Sequence, residues 1–188
     1  MQIRKFGMTC SVLAVFVALA ACSSPTKYKS SAAYEIDREA KVSLNKLLQS
    51  NKDARNLKKN AVAILVFPRV VKAGFVFGAQ VGNGALMDSN KKTIGYYRTF
   101  AASYGFQAGI KGFGYALFFM DNDSLSYLDE SKGFELGVGP SLVVVDKGFG
   151  KAVTSTTLQK GIYAFIFDLK GAFGGAGLQG TKITRIDP

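Results

Sequence analysis

The sequence predicts an α+β domain in which N-terminal amphipathic helices pack on a strongly twisted, glycine-rich, mainly antiparallel sheet or partly closed barrel. Three observations carry this expectation. Residues 22–60 contain no glycine, whereas residues 61–188 hold 20 of the 21 glycines and all but two of the 15 phenylalanines. Residues 33–49 place apolar side chains at helical spacing, and beyond residue 60 the apolar runs are short, β-branched or aromatic, and punctuated by glycine. With 188 residues, 48% of them hydrophobic, the chain supplies one core rather than two.

Residues 1–21 read as an export signal. Arg4 and Lys5 form the charged start, and Met8 to Ala21 is an apolar run of 14 residues, short of the roughly 20 that a transmembrane helix needs. Leu19-Ala20-Ala21-Cys22 resembles a bacterial lipobox, in which Cys22 becomes the N-terminus and receives a diacylglyceryl group and a further acyl chain. Ser23 at the next position, as that resemblance implies, points to the outer membrane and its periplasmic side. An ordinary secretory signal followed by a chance cysteine is the alternative. Cleavage removes Cys10, leaving no pair for an internal disulfide, and takes Arg4 and Lys5 with it, so the formal charge falls from +11 to +9. Residues 22–32 then form a lipidated tether, in which the nine polar-rich residues 23–31 extend about 30 Å. The folded domain is expected over 33–188.

Ile36, Ala40, Leu44 and Leu47 predict a first helix over about 33–49, with Asp37 and Lys41 as an i,i+4 pair. Asn51 suits the N-cap of a second helix, Asp53 its first turn, and Ala54, Leu57 and Ala61 its apolar stripe. Lys52, Arg55 and Lys59 fall at i, i+3 and i+7 on another face. Strands are expected at 63–67, closed by Pro68, and at 74–81, 93–100, 115–120, 141–146 and 163–168, with a turn at 88–91 and a short helix over 123–130. A weak internal repeat joins AILVF and GFVFGAQVGNGAL to YAFIFD and GAFGGAGLQGTKI, with YALFFM before GFELGVGPSLVVV as a third copy. Its unit reads as a strand, a turn or helix, then a glycine-kinked strand.

The ordered segments VFPRVVKAGFVFGAQVGNGAL (66–86), AASYGFQAG (101–109), YALFFM (115–120), GVGPSLVVVDKGFG (137–150) and GLQGTKITRI (177–186) resemble the SYLF domain in its bacterial lipoprotein form. The resemblance runs from about residue 33 to the C-terminus. It implies a lipid-binding domain, since eukaryotic members bind phosphoinositides and, in yeast, actin. An exported lipoprotein meets phosphatidylglycerol, cardiolipin and lipopolysaccharide instead, so what carries over is anionic-lipid binding as a class.

Residues 26–60 carry nine basic and four acidic side chains, which concentrates positive charge beside the anchor. Arg38, Lys41, Lys52, Arg55, Lys58 and Lys59 are therefore the candidate lipid-binding residues, each cation near an anionic surface contributing about 1 kcal/mol. A solvated helical face is the plain alternative. The phenylalanines Phe75, Phe77, Phe106, Phe113 and Phe118 belong either to the core or to a groove for acyl chains.

With no histidine anywhere, Ser-His-Asp and Cys-His catalysis and histidine-ligated zinc sites are excluded. Gly175 to Gly180 matches G-x-G-x-x-G, but only eight residues follow it, so it reads as a kinked strand rather than a dinucleotide site. Asp121-Asn122-Asp123 hints at a calcium loop, yet Leu125 stands where a further oxygen ligand belongs, which favours a surface turn. Ser103 lacks a nucleophile-elbow glycine before it, and no motif groups Asp121, Asp129, Glu130 and Glu135. The expectation is an outer-membrane lipoprotein that binds anionic membrane lipids without catalytic turnover, cofactor or metal. The alternative is a structural or assembly lipoprotein that binds envelope protein partners through its sheet. Nucleic acid matches the charge, but export separates the two.

Overall fold

The computed structural model describes residues 30–130, 134–135, 142–145 and 161–188. The export signal, Cys22 and the tether up to residue 29 lie outside them. The elements in chain order are α1 (Ser31–Ser50), α2 (Lys52–Lys58), β1 (Ala63–Asp88), β2 (Thr93–Phe119), α3 (Asn122–Glu130), β3 (Phe134–Glu135), β4 (Leu142–Val145) and β5 (Ile162–Ile186).

Helix α2 starts at the N-cap expected for it, and α1 starts at Ser31, two residues before the expected 33 and within the stretch read as tether. The Ser30 hydroxyl accepts from the Ala33 N–H at 3.0 Å and donates to the Pro188 carbonyl, which ties the start of α1 to the end of the chain. Asn51 ends α1 by donating its N–H to Leu47 O, and starts α2 by accepting from the N–H groups of Asp53 and Ala54. At the next expected turn, Asp88 Oδ1 accepts from the N–H groups of Asn90 and Lys92. Asp121 Oδ1 likewise accepts from Ser124 N at 2.7 Å and caps α3.

The sheet is five-stranded and open, in the order β1-β2-β5-β3, with β4 beside β5. It is antiparallel except that Leu142–Val145 runs parallel to Ile162–Phe165. Of the two expected forms, the mainly antiparallel sheet is present and the partly closed barrel is not. The short strands expected from the sequence are also merged, so that 63–67 and 74–81 belong to β1, 93–100 and 115–120 to β2, and 163–168 to the long β5. Pro68 does not end its strand. β1 lies at the edge of the sheet and absorbs Pro68 in a register shift between Phe67 and Val70, where the missing N–H breaks no ladder.

These long strands form a ribbon that folds back over itself. β1 turns at Val76, whose φ of 63° is left-handed, in the register shift between Phe75, opposite Ala108, and Phe77, opposite Tyr104. Its two arms then approach: a Cβ at Gly82 would lie 2.7 Å from Val70 Cγ2 and 2.8 Å from Arg69 O, and Gly84 lies against Val66 and Phe67. Any side chain at these glycines would push the arms apart. β2 bends over the same stretch through Gly105 and Gly109, both at positive φ, and β5 through Gly171 at φ 82°. The internal repeat thus has a different structure from its sequence reading. β1 and β5 are each a single strand of arm, glycine bend and arm, and flank β2 in register, with Leu65, Leu117 and Ala164 in one row. YALFFM runs into the end of β2 at Phe119, and most of the segment GFELGVGPSLVVV read with it as a third copy lies outside the described residues.

At the base of the ribbon both faces are buried. Between the arms, Leu65, Phe67, Leu117 and Phe119 pack with Leu86, Tyr97 and Ile183. On the other face, Ala40, Leu44 and Leu47 of α1 and Leu57 of α2 cover Ile64 and Val66 from the first arm and Ala85 and Met87 from the second. Helix α1 therefore lies across the seam where the arms of β1 meet. Polar contacts hold it there: Arg69 to Glu39 at 2.8 Å, Lys46 to Asp168, Lys91 to Asn45, and the Thr93 hydroxyl to the buried Asp37.

Candidate functional site

The six helical cations separate into two groups. Lys41 pairs with Asp37 at 2.9 Å as the i,i+4 spacing predicts, and Arg55 Nη1 donates to the carbonyls of Leu48 and Gln49, both at 2.7 Å. Those carbonyls belong to the last turn of α1, where a cation is favoured, so Arg55 fastens α2 to the end of α1. Arg38, Lys52 and Lys59 are exposed and Lys58 is half-buried. None of these four forms an ion pair among the described residues. Helix α1 is 20 residues long, which separates its capped start from Lys52 by about 30 Å.

The five phenylalanines singled out in the sequence do not gather into one groove. Phe118 is buried edge-to-face on Phe165, with centroids 5.1 Å apart, and Phe113 is half-buried beside Tyr115. Phe75 and Phe77 instead project from the glycine bend with 79% and 71% of their surface exposed, and Phe77 rests on Tyr104 at 5.0 Å. The side chain of Phe106 lies outside the described residues.

Around this bend the polarity of the sheet is reversed. Outward positions are Val71, Ala73, Phe75, Ala79 and Val81 on β1, with Phe100, Ala102, Tyr104 and Ile110 on β2, all exposed. The intervening inward positions are Lys72, Gln80, Thr99, Ser103 and Thr181, all buried. Burial lowers the Lys72 pKa, and the Lys111 ammonium directly across the ladder lowers it further. Lys111 itself sits 5.4 Å from the centre of the Phe113 ring. Deeper between the arms, burial pushes the Tyr115 phenol well above its ordinary value, and neither it nor the buried Thr99 hydroxyl has a hydrogen-bond partner among the described residues.

Sequence reasoning missed this surface, although one signal was available. Residues 71–82, 99–112 and 169–182 contain Lys72, Lys111, Lys170 and Lys182 and no Asp or Glu. Distance along the chain hides that absence, because three separate segments meet at one bend.

The remaining candidates do not assemble a reactive centre. Ser103 is one of the buried inward residues, Asp121 is used as a helix cap, and the side chains of Asp129, Glu130 and Glu135 lie outside the described residues. Among the described residues, no three His, Cys, Asp or Glu side chains come together as a metal site, and no helix is long and apolar enough to cross a membrane. The glycines of 175–180 lie within the long strand β5, not in a strand-to-helix turn. A cleft of about 1000 Å³ opens beside Ser30, Thr93, Tyr96, Arg185 and Pro188, at the start of α1. Compared with known families and with curated proteins, the chain matches no family model and no curated sequence.

Proposed function

We propose that the protein is an outer-membrane lipoprotein of the bacterial cell envelope, anchored through Cys22 and facing the periplasm, whose SYLF-like domain binds anionic membrane lipids without catalytic turnover. The observation that carries this reading is the set of cations at the helical end of the domain. Arg38 near the start of α1, and Lys52, Lys58 and Lys59 beyond its end, form no ion pair among the described residues, and a tether of about 30 Å joined to the start of α1 lets these helices lie along the membrane that holds Cys22. The lipobox and the resemblance to SYLF domains support it independently.

The test uses the chain from Ser23 onward, because an acyl anchor would mask the electrostatic contribution. Binding is expected to vesicles containing phosphatidylglycerol and not to phosphatidylcholine alone, and to weaken with salt. Changing Lys52, Lys58 and Lys59 together to Glu is expected to weaken it about a hundredfold, at roughly 1 kcal/mol per cation removed. Arg55 is left in place, since its bonds to α1 would mix a folding effect into the result. Equal binding to both vesicles, or no loss in the triple variant, would refute the reading. Salt-insensitive cross-linking to an envelope protein would favour the assembly role instead.

A further inference from the structure

We infer that the glycine bend is a membrane-insertion element that enters the hydrocarbon of one bilayer leaflet. It goes beyond lipid binding by the helical cations, because it lies on other elements and needs apolar contact rather than charge.

Four features point to a lipid occupant. The first is the reversed alternation, with apolar side chains outward and Lys72, Gln80, Thr99, Ser103 and Thr181 inward. A sheet surrounded by water has the opposite order, and one surrounded by lipid has this order. The second is exposure of neighbouring large apolar groups from three strands: Phe75 and Phe77, Tyr104 and Ile110, and Leu169. An apolar surface shared by adjacent strands marks a docking or membrane surface rather than scattered exposure. The third is charge: the exposed Lys170 lies on bend segments that contain no carboxylate, which complements anionic headgroups, whereas the exposed Lys182 stands across the ladder from Glu135 of β3.

The fourth is size. From Val71 to the apex at Val76 the strand rises about 16 Å. One leaflet contributes ~15 Å of hydrocarbon, so the apolar band matches a leaflet and not a bilayer. The backbone sets the same limit. β1 is an edge strand, and a full crossing would place more of that edge in the hydrocarbon than insertion into one leaflet does. Insertion from one side lets the lower part of the edge remain among headgroups and water.

The chain contains no tryptophan, so a single introduced one is an unambiguous reporter. The full acylated chain carrying Phe75→Trp is reconstituted into vesicles of phosphatidylglycerol and phosphatidylcholine with nitroxides on the acyl chains. Ile110→Trp serves as a second reporter on β2, and Tyr34→Trp, on the exposed side of α1, as the control. Insertion predicts a blue-shifted emission for both bend reporters, with acyl-chain quenching several times that of Tyr34→Trp and protection from aqueous iodide. The two ideas fail separately. If both bend reporters remain open to iodide and escape acyl-chain quenching while the chain still discriminates phosphatidylglycerol, insertion is wrong and electrostatic binding stands. If the bend reporters are quenched equally in vesicles of phosphatidylcholine alone, insertion holds and the anionic preference fails. A blue shift that appears without vesicles and grows with protein concentration would show that a second copy covers the bend, and would overturn the proposal.

Discussion

The same three strands obey opposite rules at their two ends. At the base, Phe67, Phe118 and Tyr163 are fully buried, and the helices and the opposing arm cover both faces of the sheet. At the bend, Phe75 and Phe77, 8 and 10 residues beyond Phe67 on β1, project outward while Lys72 and Gln80 turn inward. The backbone is continuous and the pairing of β1, β2 and β5 persists through both regions. What differs is the surroundings for which each region is built: burial of apolar surface drives folding at the base, and an apolar surface left exposed at the bend contributes little to stability.

The largest expected effect comes from making the same kind of change at each end. Phe118→Ala removes a ring that is wholly buried against Phe165 and is expected to cost about 3–5 kcal/mol of unfolding free energy. Phe75→Ser is expected to change stability by no more than about 0.5 kcal/mol, as an exposed side chain should. Chemical denaturation of both variants measures the difference. Comparable losses would break the contrast and make the bend part of the core.

A second comparison tests the folding-over itself. At Gly84 an added side chain would meet the Val66 carbonyl and the Phe67 ring, so Gly84→Val is expected to destabilise by about 2 kcal/mol, in the range of an overpacked core. Gly112→Val places its Cβ 3.9 Å from Val70 O and is expected to cost less. A tolerant Gly84 would mean that the arms of β1 do not pack tightly.

Alkaline titration separates the two buried groups between the arms. The Tyr115 pKa is raised by burial, so its stabilising contribution is complete below the unfolded value near 10 and falls above it, by at most about 1.4 kcal/mol per pH unit. The lowered Lys72 pKa acts in the other direction: the unfolded chain holds the extra proton between the folded value and about 10.5, so stability rises with pH across that window. Denaturant midpoints measured through this range are expected to lose the alkaline fall in Tyr115→Phe and the preceding rise in Lys72→Met.

The parts of the fold legible in the sequence are those fixed within a few residues. Helices α1 and α2, the N-cap at Asn51, the Asp88 turn and α3 follow from capping groups and local periodicity. The long strands do not, because a glycine cluster reads the same whether it ends a strand or lets one bend. Pro68 reads as a terminator unless the strand is known to lie at an edge. Shifts at Phe67/Val70 and Phe75/Phe77 also interrupt the period-two pattern by which a continuous strand would be recognised. For the same reason Phe75 and Phe118 look alike in sequence, although one is exposed and the other buried.

The smallest expected effect distinguishes cations that the sequence places on one helical face. Arg55 donates to two carbonyls at the end of α1, while Lys52, three residues earlier, is exposed and unpaired among the described residues. Arg55→Gln is expected to cost about 1 kcal/mol, less than two charge-assisted bonds are worth in a buried site, because solvent reaches this guanidinium and competes for it. Lys52→Gln is expected to leave stability unchanged, since Lys and Gln have nearly equal helix propensity. Vesicle binding should rank them the other way: Lys52→Gln removes one free cation directly, whereas Arg55, already engaged with α1, contributes less to headgroup attraction per charge. Thermal unfolding and salt-dependent vesicle binding of the two single variants measure both rankings. If Arg55→Gln lost as much binding as Lys52→Gln with no loss of stability, Arg55 would be a lipid contact and its bonds to Leu48 and Gln49 would be incidental.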